Sequence, residues 1–355
     1  MSEPELRILD RASVEMCVAA FDPVDVVESV LRAHTDGASV LPAEAYMEWN
    51  NQTQSSCRSI AMPGGLSTAT GPVYGLKVIN AAISNPDVGL DRAGGVVMLF
   101  DPDTARPVLL ADAGYLSGLR TAAYTLLSLR HLGPRSCPAV SIIGCGALAR
   151  EHLRLLEQHY PELSTVYVHD RDPERAEALE TWAGEYIPGL SIIPGSDVRE
   201  VIGASNVLIT LTTSRRPYIE RDWLRPATFI AHVSLDDVTE DVFVGADAVF
   251  VDDVALVEEN PRRILGRLMA QGTMAEPGAG AGRIGGGGSG RAITGTLGEV
   301  LTGRCPAVRP EDGGVVSNPF GMSILDLGLL HRVALIADAA GLGQSLPVFG
   351  ATAGT

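Results

Sequence analysis

Two closely spaced glycines are the residues of this chain best suited to binding a phosphorylated ligand. Gly144 and Gly146 directly follow the apolar segment 140–143, and Ala149 completes the spacing G-x-G-x-x-A. The first glycine permits a tight turn, the second lets backbone N–H groups approach a pyrophosphate, and the alanine lets the next helix lie close to the strand. The positive end of that helix then faces the phosphates. The motif predicts a dinucleotide-binding turn formed by Gly144, Cys145, Gly146, Ala147 and Leu148.

An acidic residue follows the next apolar segment. Residues 165–169 read as a strand that ends in Asp170, at about the expected distance beyond the glycines. A carboxylate there accepts hydrogen bonds from ribose hydroxyls and repels a 2′-phosphate, which favours NAD over NADP. Arg171 leaves some room for NADP, and Thr210 in a later strand is also predicted to contact the cofactor. The alternative interpretation is a glycine turn that binds no nucleotide.

Three cations in otherwise apolar or β-rich surroundings are candidates for binding a substrate. They are Arg58, Lys77 and Arg120. Taken singly, each is typical of a surface residue or a salt-bridge partner. Together they could clamp an amino-acid carboxylate, since arginine offers two parallel donors to it. Spacing alone does not show that they converge.

The order of apolar segments indicates how these residues are positioned. Residues 126–316 alternate strands and helices, which is typical of an α/β fold with a Rossmann-type doubly wound parallel sheet. Residues 1–125 read as a β-rich α+β domain with helices at 21–34 and 116–132. Residues 317–355 carry an apolar helix that returns to the first domain. Between them, a glycine-rich insertion at about 276–290 reads as a disordered segment or a mobile flap.

Composition excludes several classes of protein. The chain has 355 residues and a formal net charge of −16, which argues against binding nucleic acid. No apolar run is long enough to span a membrane, and the acidic N-terminus does not read as a signal peptide. Five scattered cysteines without a C-x-x-C pair favour a reduced, cytoplasmic protein and no metal site.

The combined motifs identify a family. Arg58, Lys77, the run Arg120-Thr121-Ala122-Ala123 and the glycine motif occur here in an order that resembles the ornithine cyclodeaminase/mu-crystallin family over nearly the whole chain. Further stretches are most similar to one branch of it, whose enzymes act on N-(1-amino-1-carboxy-2-ethyl)glutamate. These stretches are residues 58–63, 91–96, 216–224, 251–253 and 318–322.

The resemblance implies a role for each matching residue. The first domain would bind substrate and form a homodimer, and the second would bind NAD. Arg58, Lys77 and Arg120 would hold the α-carboxylate of a small amino-acid substrate. Thr121 would lie near the cofactor phosphates. The residues implied to line the nicotinamide are Gly321 and Met322.

A pair of adjacent carboxylates contains the implied acid–base group. Alignment on the strand gives Asp236 this role, whereas the most similar branch gives it to Asp237. Either residue could instead cap the next helix. Lys77 is the next candidate for proton transfer.

The resemblance implies oxidation of a secondary amine and hydrolysis of the resulting imine. The products would be 2-oxoglutarate and 2,3-diaminopropionate, a precursor of siderophores and peptide antibiotics. One alternative is a cyclodeaminase that forms proline or pipecolate from ornithine or lysine. Another is a non-catalytic, crystallin-like protein. Arg92 favours a substrate with extra carboxylates, unless it is a turn residue in a salt bridge.

Overall fold

The computed structural model describes residues 5–278, 291–311 and 314–348. The chain divides into two compact units, one comprising Met1–Arg120 and Met322–Thr355, the other Thr121–Gly321. The boundaries expected from the sequence lie at residues 125 and 316. The expected and the observed first boundary both fall within one continuous helix, residues 113–132, and the second boundary differs because residues 315–318 form a strand of the second unit. Most of the predicted glycine-rich insertion lies outside the described residues.

The helices and strands are numbered in chain order. The strands are β1 (Leu6–Leu9), β2 (Ser39–Val40), β3 (Ala45–Asn50), β4 (Ser56–Thr68), β5 (Gly71–Ala82), β6 (Ala93–Phe100), β7 (Pro107–Asp112), β8 (Ala139–Ile143), β9 (Thr165–His169), β10 (Ser191–Pro194), β11 (Val207–Thr210), β12 (Phe229–His232), β13 (Ala248–Val251), β14 (Met274–Ala275), β15 (Arg291–Ala292), β16 (Gly295–Thr296), β17 (Val315–Asn318) and β18 (Gln344–Leu346). The helices are α1 (Arg11–Val18), α2 (Pro23–Thr35), α3 (Ala113–Leu132), α4 (Ala147–His159), α5 (Pro173–Tyr186), α6 (Val198–Ile202), α7 (Glu240–Gly245), α8 (Val254–Glu258), α9 (Ile264–Ala270), α10 (Leu297–Leu301) and α11 (Ser323–Ala340).

The first unit is built on a mainly antiparallel sheet of order β18-β1-β7-β6-β5-β4-β2, with β3 also paired to β4. Helix α11 packs on α2 and on strands β4, β5 and β6. The two helices lie close together because Gly328 has no side chain: a Cβ there would come within 2.5 Å of Val30. The apolar sequence of α11 is thus explained, since nearly every residue of its first two turns is buried.

The second unit contains a parallel sheet of order β10-β9-β8-β11-β12-β17-β13-β16. Strand β8 lies inside the sheet, with β9 and β11 on its two sides. The chain therefore reverses its direction of winding between β8 and β11, where dinucleotides bind in folds of this kind. The predicted fold class is confirmed. All these strands end at one edge, so the residues that follow them collect there.

One segment lies elsewhere than expected. Ser317 and Asn318 were assigned from the sequence to the returning C-terminal region, but they belong to β17, which pairs with β12 and β13 in the second unit. The four residues of β17 are all buried, as required of a strand that lies inside a parallel sheet.

Among the residues described, no helix is long and apolar enough to cross a membrane.

Candidate active site

The glycine turn has the geometry that its sequence predicts. Gly144 has a φ of +102°, which disfavours any side chain, and a Cβ there would meet the backbone of Leu211 at 2.7 Å. Gly146 precedes the first turn of α4, and a Cβ at this position would have no atom of the described chain within 4 Å. The protein's own packing therefore requires Gly144, whereas Gly146 faces open space. That space fits the pyrophosphate of a dinucleotide at a helix N-terminus.

Asp170 connects the end of β9 to this turn. One of its carboxylate oxygens accepts a hydrogen bond from the backbone N–H of Cys145 at 2.9 Å, and the other accepts one from Asp172 N–H at 3.1 Å. Each carboxylate oxygen has two acceptor sites, so acceptors remain for ribose hydroxyls. The Cys145 thiol is buried, and burial followed by the Asp170 charge raises its pKa to about 12. Cys145 is therefore a packing residue rather than a reactive thiolate.

The other predicted cofactor residues have different surroundings. Thr210 is fully buried at the end of β11, and its hydroxyl accepts a hydrogen bond from Ser234 at 2.8 Å. Arg171 is exposed, directly after Asp170. Thr121 is buried in α3, and Met322 is buried immediately before α11. Their contacts with a cofactor stay predictions.

Two adjacent carboxylates after β12 have unlike partners. Asp236 accepts hydrogen bonds from Arg263 at 2.8 Å and from the backbone N–H of Ile264, the first residue of α9, at 3.0 Å. Asp237 accepts hydrogen bonds from the hydroxyls of Thr212, at 2.5 Å, and Ser234. Asp236 thus holds the start of a helix, although α9 rather than the next one along the chain. Asp237 is thus hydrogen-bonded by neutral hydroxyl groups, whereas Asp236 is bound by a cation.

A buried histidine connects this turn to β17. The Nε2 atom of His232 accepts a hydrogen bond from the backbone N–H of Asp237 at 3.0 Å. The ring proton therefore lies on Nδ1, which donates to the side-chain oxygen of Asn318 at 2.6 Å. Burial lowers the pKa of His232. A neutral imidazole thus fixes the Asp237 backbone against the end of the neighbouring strand.

Sequence reasoning missed Asp252, which follows β13. Its carboxylate is buried and accepts hydrogen bonds from the backbone N–H groups of Phe320, at 2.9 Å, and Gly321, at 2.6 Å. Gly321 has a φ of +99°. Burial raises the pKa of Asp252, and the two N–H donors act against that rise. Asp252 therefore fixes the loop that includes Gly321, predicted to line the nicotinamide. An acidic residue directly after an apolar strand was the available signal.

In the first unit, two of the three predicted cations meet at one carboxylate. Lys77 on β5 is 1% exposed, and its Nζ lies 2.6 Å from Asp326 of α11. The Nε of Arg120 lies 3.5 Å from the same oxygen of Asp326. Burial lowers the pKa of Lys77 to about 8; the Asp326 charge acts against this and the Arg120 charge adds to it. Asp326 was not identified from the sequence.

The third cation, Arg58, has another arginine as its neighbour. Arg58 on β4 lies opposite Ala81, four residues beyond Lys77 along β5, a separation of about 13 Å between Cα atoms. Burial lowers the pKa of Arg92 to about 10, and the charge of Arg58 lowers it further. In the described part of the chain, the Arg92 guanidinium makes no hydrogen bond or ion pair, and the carboxylate of the preceding residue, Asp91, lies 3.7 Å from Arg11. The first unit thus presents two separate pairs of cations.

A parallel sheet with a glycine turn at its winding reversal defines a dinucleotide-binding α/β protein. Comparison with known proteins identifies the group more closely: the ornithine cyclodeaminase/mu-crystallin family model matches residues 5–338. The chain belongs to this family, and the prediction from its motifs is confirmed.

Individual relatives cover almost the whole chain. The crystal structure of CmnK is 52% identical with a TM-score of 0.90, covering 98% of this chain and 100% of CmnK. N-((2S)-2-amino-2-carboxyethyl)-L-glutamate dehydrogenase of Staphylococcus aureus is 27% identical over 350 residues, which are 97% of this chain and 99% of that enzyme. An archaeal alanine dehydrogenase dimer with bound NAD is 23% identical with a TM-score of 0.80, covering 97% and 100% of the two chains, and shares the fold.

Proposed function

We propose that this protein catalyses the NAD-dependent oxidative hydrolysis of N-(1-amino-1-carboxy-2-ethyl)glutamate. The substrate is a secondary amine that joins the α-carbon of glutamate to the β-carbon of an alanine unit. A hydride leaves the glutamate α-carbon and the amine loses a proton, which gives an imine and NADH. Water adds to the imine carbon, and the C–N bond breaks. The products are 2-oxoglutarate and 2,3-diaminopropionate.

The protein is an NAD-dependent oxidoreductase that acts on the CH–NH bond of an amino acid. The glycine turn and Asp170 support NAD as the cofactor, because they offer backbone N–H groups to phosphates and carboxylate oxygens to a ribose. The whole-length similarity to a dehydrogenase of an aminocarboxyethyl-glutamate supports the class of reaction. A role in making a siderophore or a peptide antibiotic is part of the proposal.

The observation that carries the substrate assignment is the pair Arg58 and Arg92. A single amino-acid carboxylate needs one cationic clamp, and Lys77 with Arg120, which both face Asp326, would supply it. The proposed substrate has three carboxylates, so it requires further cations at a distance from the first clamp. Arg92 provides one, since its charge is held beside that of Arg58 without an anionic partner of its own.

The residues of the chain divide the chemical work as follows. Bound NAD supplies the hydride acceptor. The open space at Gly146 and the N-terminus of α4 would hold its pyrophosphate, and Asp170 its ribose. Asp237 would accept the amine proton and later return it during hydrolysis, because only a neutral amine can expel a hydride. We assign this role to Asp237 because Asp236 is engaged by Arg263 and the start of α9.

The cyclodeaminase alternative requires a different environment at the far end of the substrate. Ornithine and lysine carry a distal ammonium group, which Arg58 and Arg92 would repel. Both reactions share the first oxidation, so the products separate them.

Product analysis tests the proposal directly. The protein is incubated with NAD and synthetic aminocarboxyethyl-glutamate, and in parallel with ornithine and lysine, and the products are identified by mass spectrometry. We expect equal amounts of NADH, 2-oxoglutarate and 2,3-diaminopropionate from the first mixture and no turnover in the others. Proline from ornithine, without 2-oxoglutarate from the adduct, would reject the proposed reaction.

We also propose that the protein is a cytoplasmic homodimer formed through the first unit. Several large apolar side chains of that unit are exposed, among them Val40, Met47, Trp49, Val88 and Leu90. Met47 and Trp49 lie two residues apart on β3 and therefore share one face of that strand, which would be covered in an interface between subunits. All five cysteines are free thiols, which suits a reducing compartment. Light scattering of the purified protein, with Met47→Glu as the interface variant, measures the oligomeric state.

A further inference from the structure

A carboxylate with no exposed surface lies between the two cations of the proposed clamp. Asp326 is 0% exposed, and its Oδ2 faces both the Lys77 ammonium, at 2.6 Å, and the Arg120 guanidinium, at 3.5 Å. Its other oxygen, Oδ1, is buried and accepts no hydrogen bond within the described part of the chain. A buried charge is retained only when opposite charges compensate for the loss of water.

The position of Asp326 is fixed by the packing of its helix. Gly328 lets α11 approach α2 closely, and Ser323 in the first turn of α11 donates a hydrogen bond to the carbonyl oxygen of Pro63 on β4 at 2.8 Å. Asp326 lies between these two anchor points on the same helix. The carboxylate is therefore held against β5 by contacts that do not depend on its charge, and Lys77 and Arg120 orient around it.

We propose that Asp326 is the positioning residue of the carboxylate clamp: it holds the Lys77 ammonium and the Arg120 guanidinium in one arrangement and keeps Lys77 charged for binding a substrate carboxylate. Asp326 acts through these two cations and does not itself contact the substrate. The inference rests on the proposed function, because it takes a substrate carboxylate as the ligand of the clamp.

The charge of Lys77 follows from the groups that face it. These are Asp326 from α11, Arg120 from α3 and Glu44 from the segment before β3. Burial lowers the pKa of Lys77 to about 8, and Asp326 acts against that lowering. Removing the Asp326 charge must therefore lower this pKa further. Lys77 would then lose its proton at a lower pH, and substrate binding would weaken over the same range.

The test compares three variants on one helix. Asp326→Asn removes the charge, Asp326→Glu keeps it, and Asp338→Asn removes an exposed carboxylate of α11 that pairs with Arg7. Initial rates are measured for the holoenzyme over a pH range that spans 8. We expect Asp326→Asn to raise KM at least about thirtyfold, with a smaller change in kcat. Its kcat/KM should begin to fall at a lower pH than in the unmutated protein. Asp326→Glu should restore the pH profile in part, and Asp338→Asn should behave like the unmutated protein.

A purely structural role predicts a different pattern. In that case Asp326→Asn would lower the melting temperature but leave KM and the pH profile unchanged, which would overturn the proposal. If Asp326→Asn does not fold, the Asp326→Glu variant decides the question. Its charge is kept but displaced, so KM must rise, while the pH at which kcat/KM begins to fall should stay near that of the unmutated protein. Calorimetric titration with L-glutamate measures carboxylate binding without turnover. The Asp326 comparison thus stands even if aminocarboxyethyl-glutamate proves not to be the substrate.

Discussion

Replacing Arg92 with methionine should weaken substrate binding without destabilising the protein. The pKa of Arg92 is lowered to about 10, first because of burial and then because of the Arg58 charge. At 1.36 kcal/mol for each pH unit, the charged form of Arg92 is disfavoured by about 3 kcal/mol in the folded protein. Because the folded-state pKa of this cation lies below that of the unfolded chain, the cost is present in full below pH 10 and only begins to diminish as the pH rises above that value. Methionine keeps most of the aliphatic stem and removes the charge.

The expected result combines two measurements. A charged hydrogen bond contributes about 2 kcal/mol, so KM for aminocarboxyethyl-glutamate should rise roughly thirtyfold while kcat changes little. The melting temperature should stay the same or rise, because a disfavoured charge has been removed. NADH absorbance gives the rates and thermal unfolding gives the stability. Arg92→Lys should fall between the two proteins in KM, since lysine keeps the charge but loses the paired donors.

The matched control is Arg32→Met, which removes an exposed arginine of the same unit that pairs with Glu28 on α2. It should leave KM unchanged. An unaltered KM in Arg92→Met would refute the assignment of Arg92 to the substrate. A large loss of stability would show instead that Arg92 supports the fold.

Three further predictions concern the second unit. Asp170→Ala should reduce the preference for NAD over NADP, measured as the ratio of the two dissociation constants; equal constants in the unmutated protein would contradict the role of Asp170. Asp237→Asn should lower kcat about a hundredfold or more with little change in stability, whereas Asp236→Asn should chiefly lower the melting temperature, since Asp236 holds Arg263 and α9. Gly146→Val should weaken NAD binding and leave the melting temperature nearly unchanged, whereas Gly144→Val should unfold more easily because its φ is +102° and its neighbour is backbone. The opposite ranking of the two glycine variants in thermal unfolding would show that packing requires Gly146 rather than Gly144, and would contradict this assignment.

The sequence predicted the parts of the fold that follow from local patterns. The apolar segment 165–169 gave β9 at its observed bounds, and the apolar helix expected within residues 317–355 is α11, because apolar runs are local signals. Residues 317 and 318, the second half of β17, were assigned to the C-terminal region, since so short a segment carries no information about which sheet it joins. The G-x-G-x-x-A motif was informative for a different reason: each of its residues has a separate steric task in one short turn.

The arrangement of the charged residues could not be read in the same way. Lys77 and Asp326 are far apart in the chain, and only the register of α11 against β5 brings them together. Arg58 was grouped with Lys77 and Arg120, yet strand pairing places it nearer to Arg92. One signal was available: Asp326 stands within the apolar first two turns of α11, and a carboxylate in such a run must have a buried cationic partner. Sequence alone could not identify that partner.

The position of β17 has a consequence for how the polypeptide acquires its structure during synthesis. Phe229 of β12 and Ala248 of β13 both pair with Val315, and these two strands flank β17 on either side. The ribosome therefore releases both flanking strands well before the strand that joins them. Until residue 318 has emerged, the nascent sheet has a gap with two open apolar edges, which are prone to pair with other chains. The nucleotide-binding unit must consequently fold late, after most of the chain has been translated.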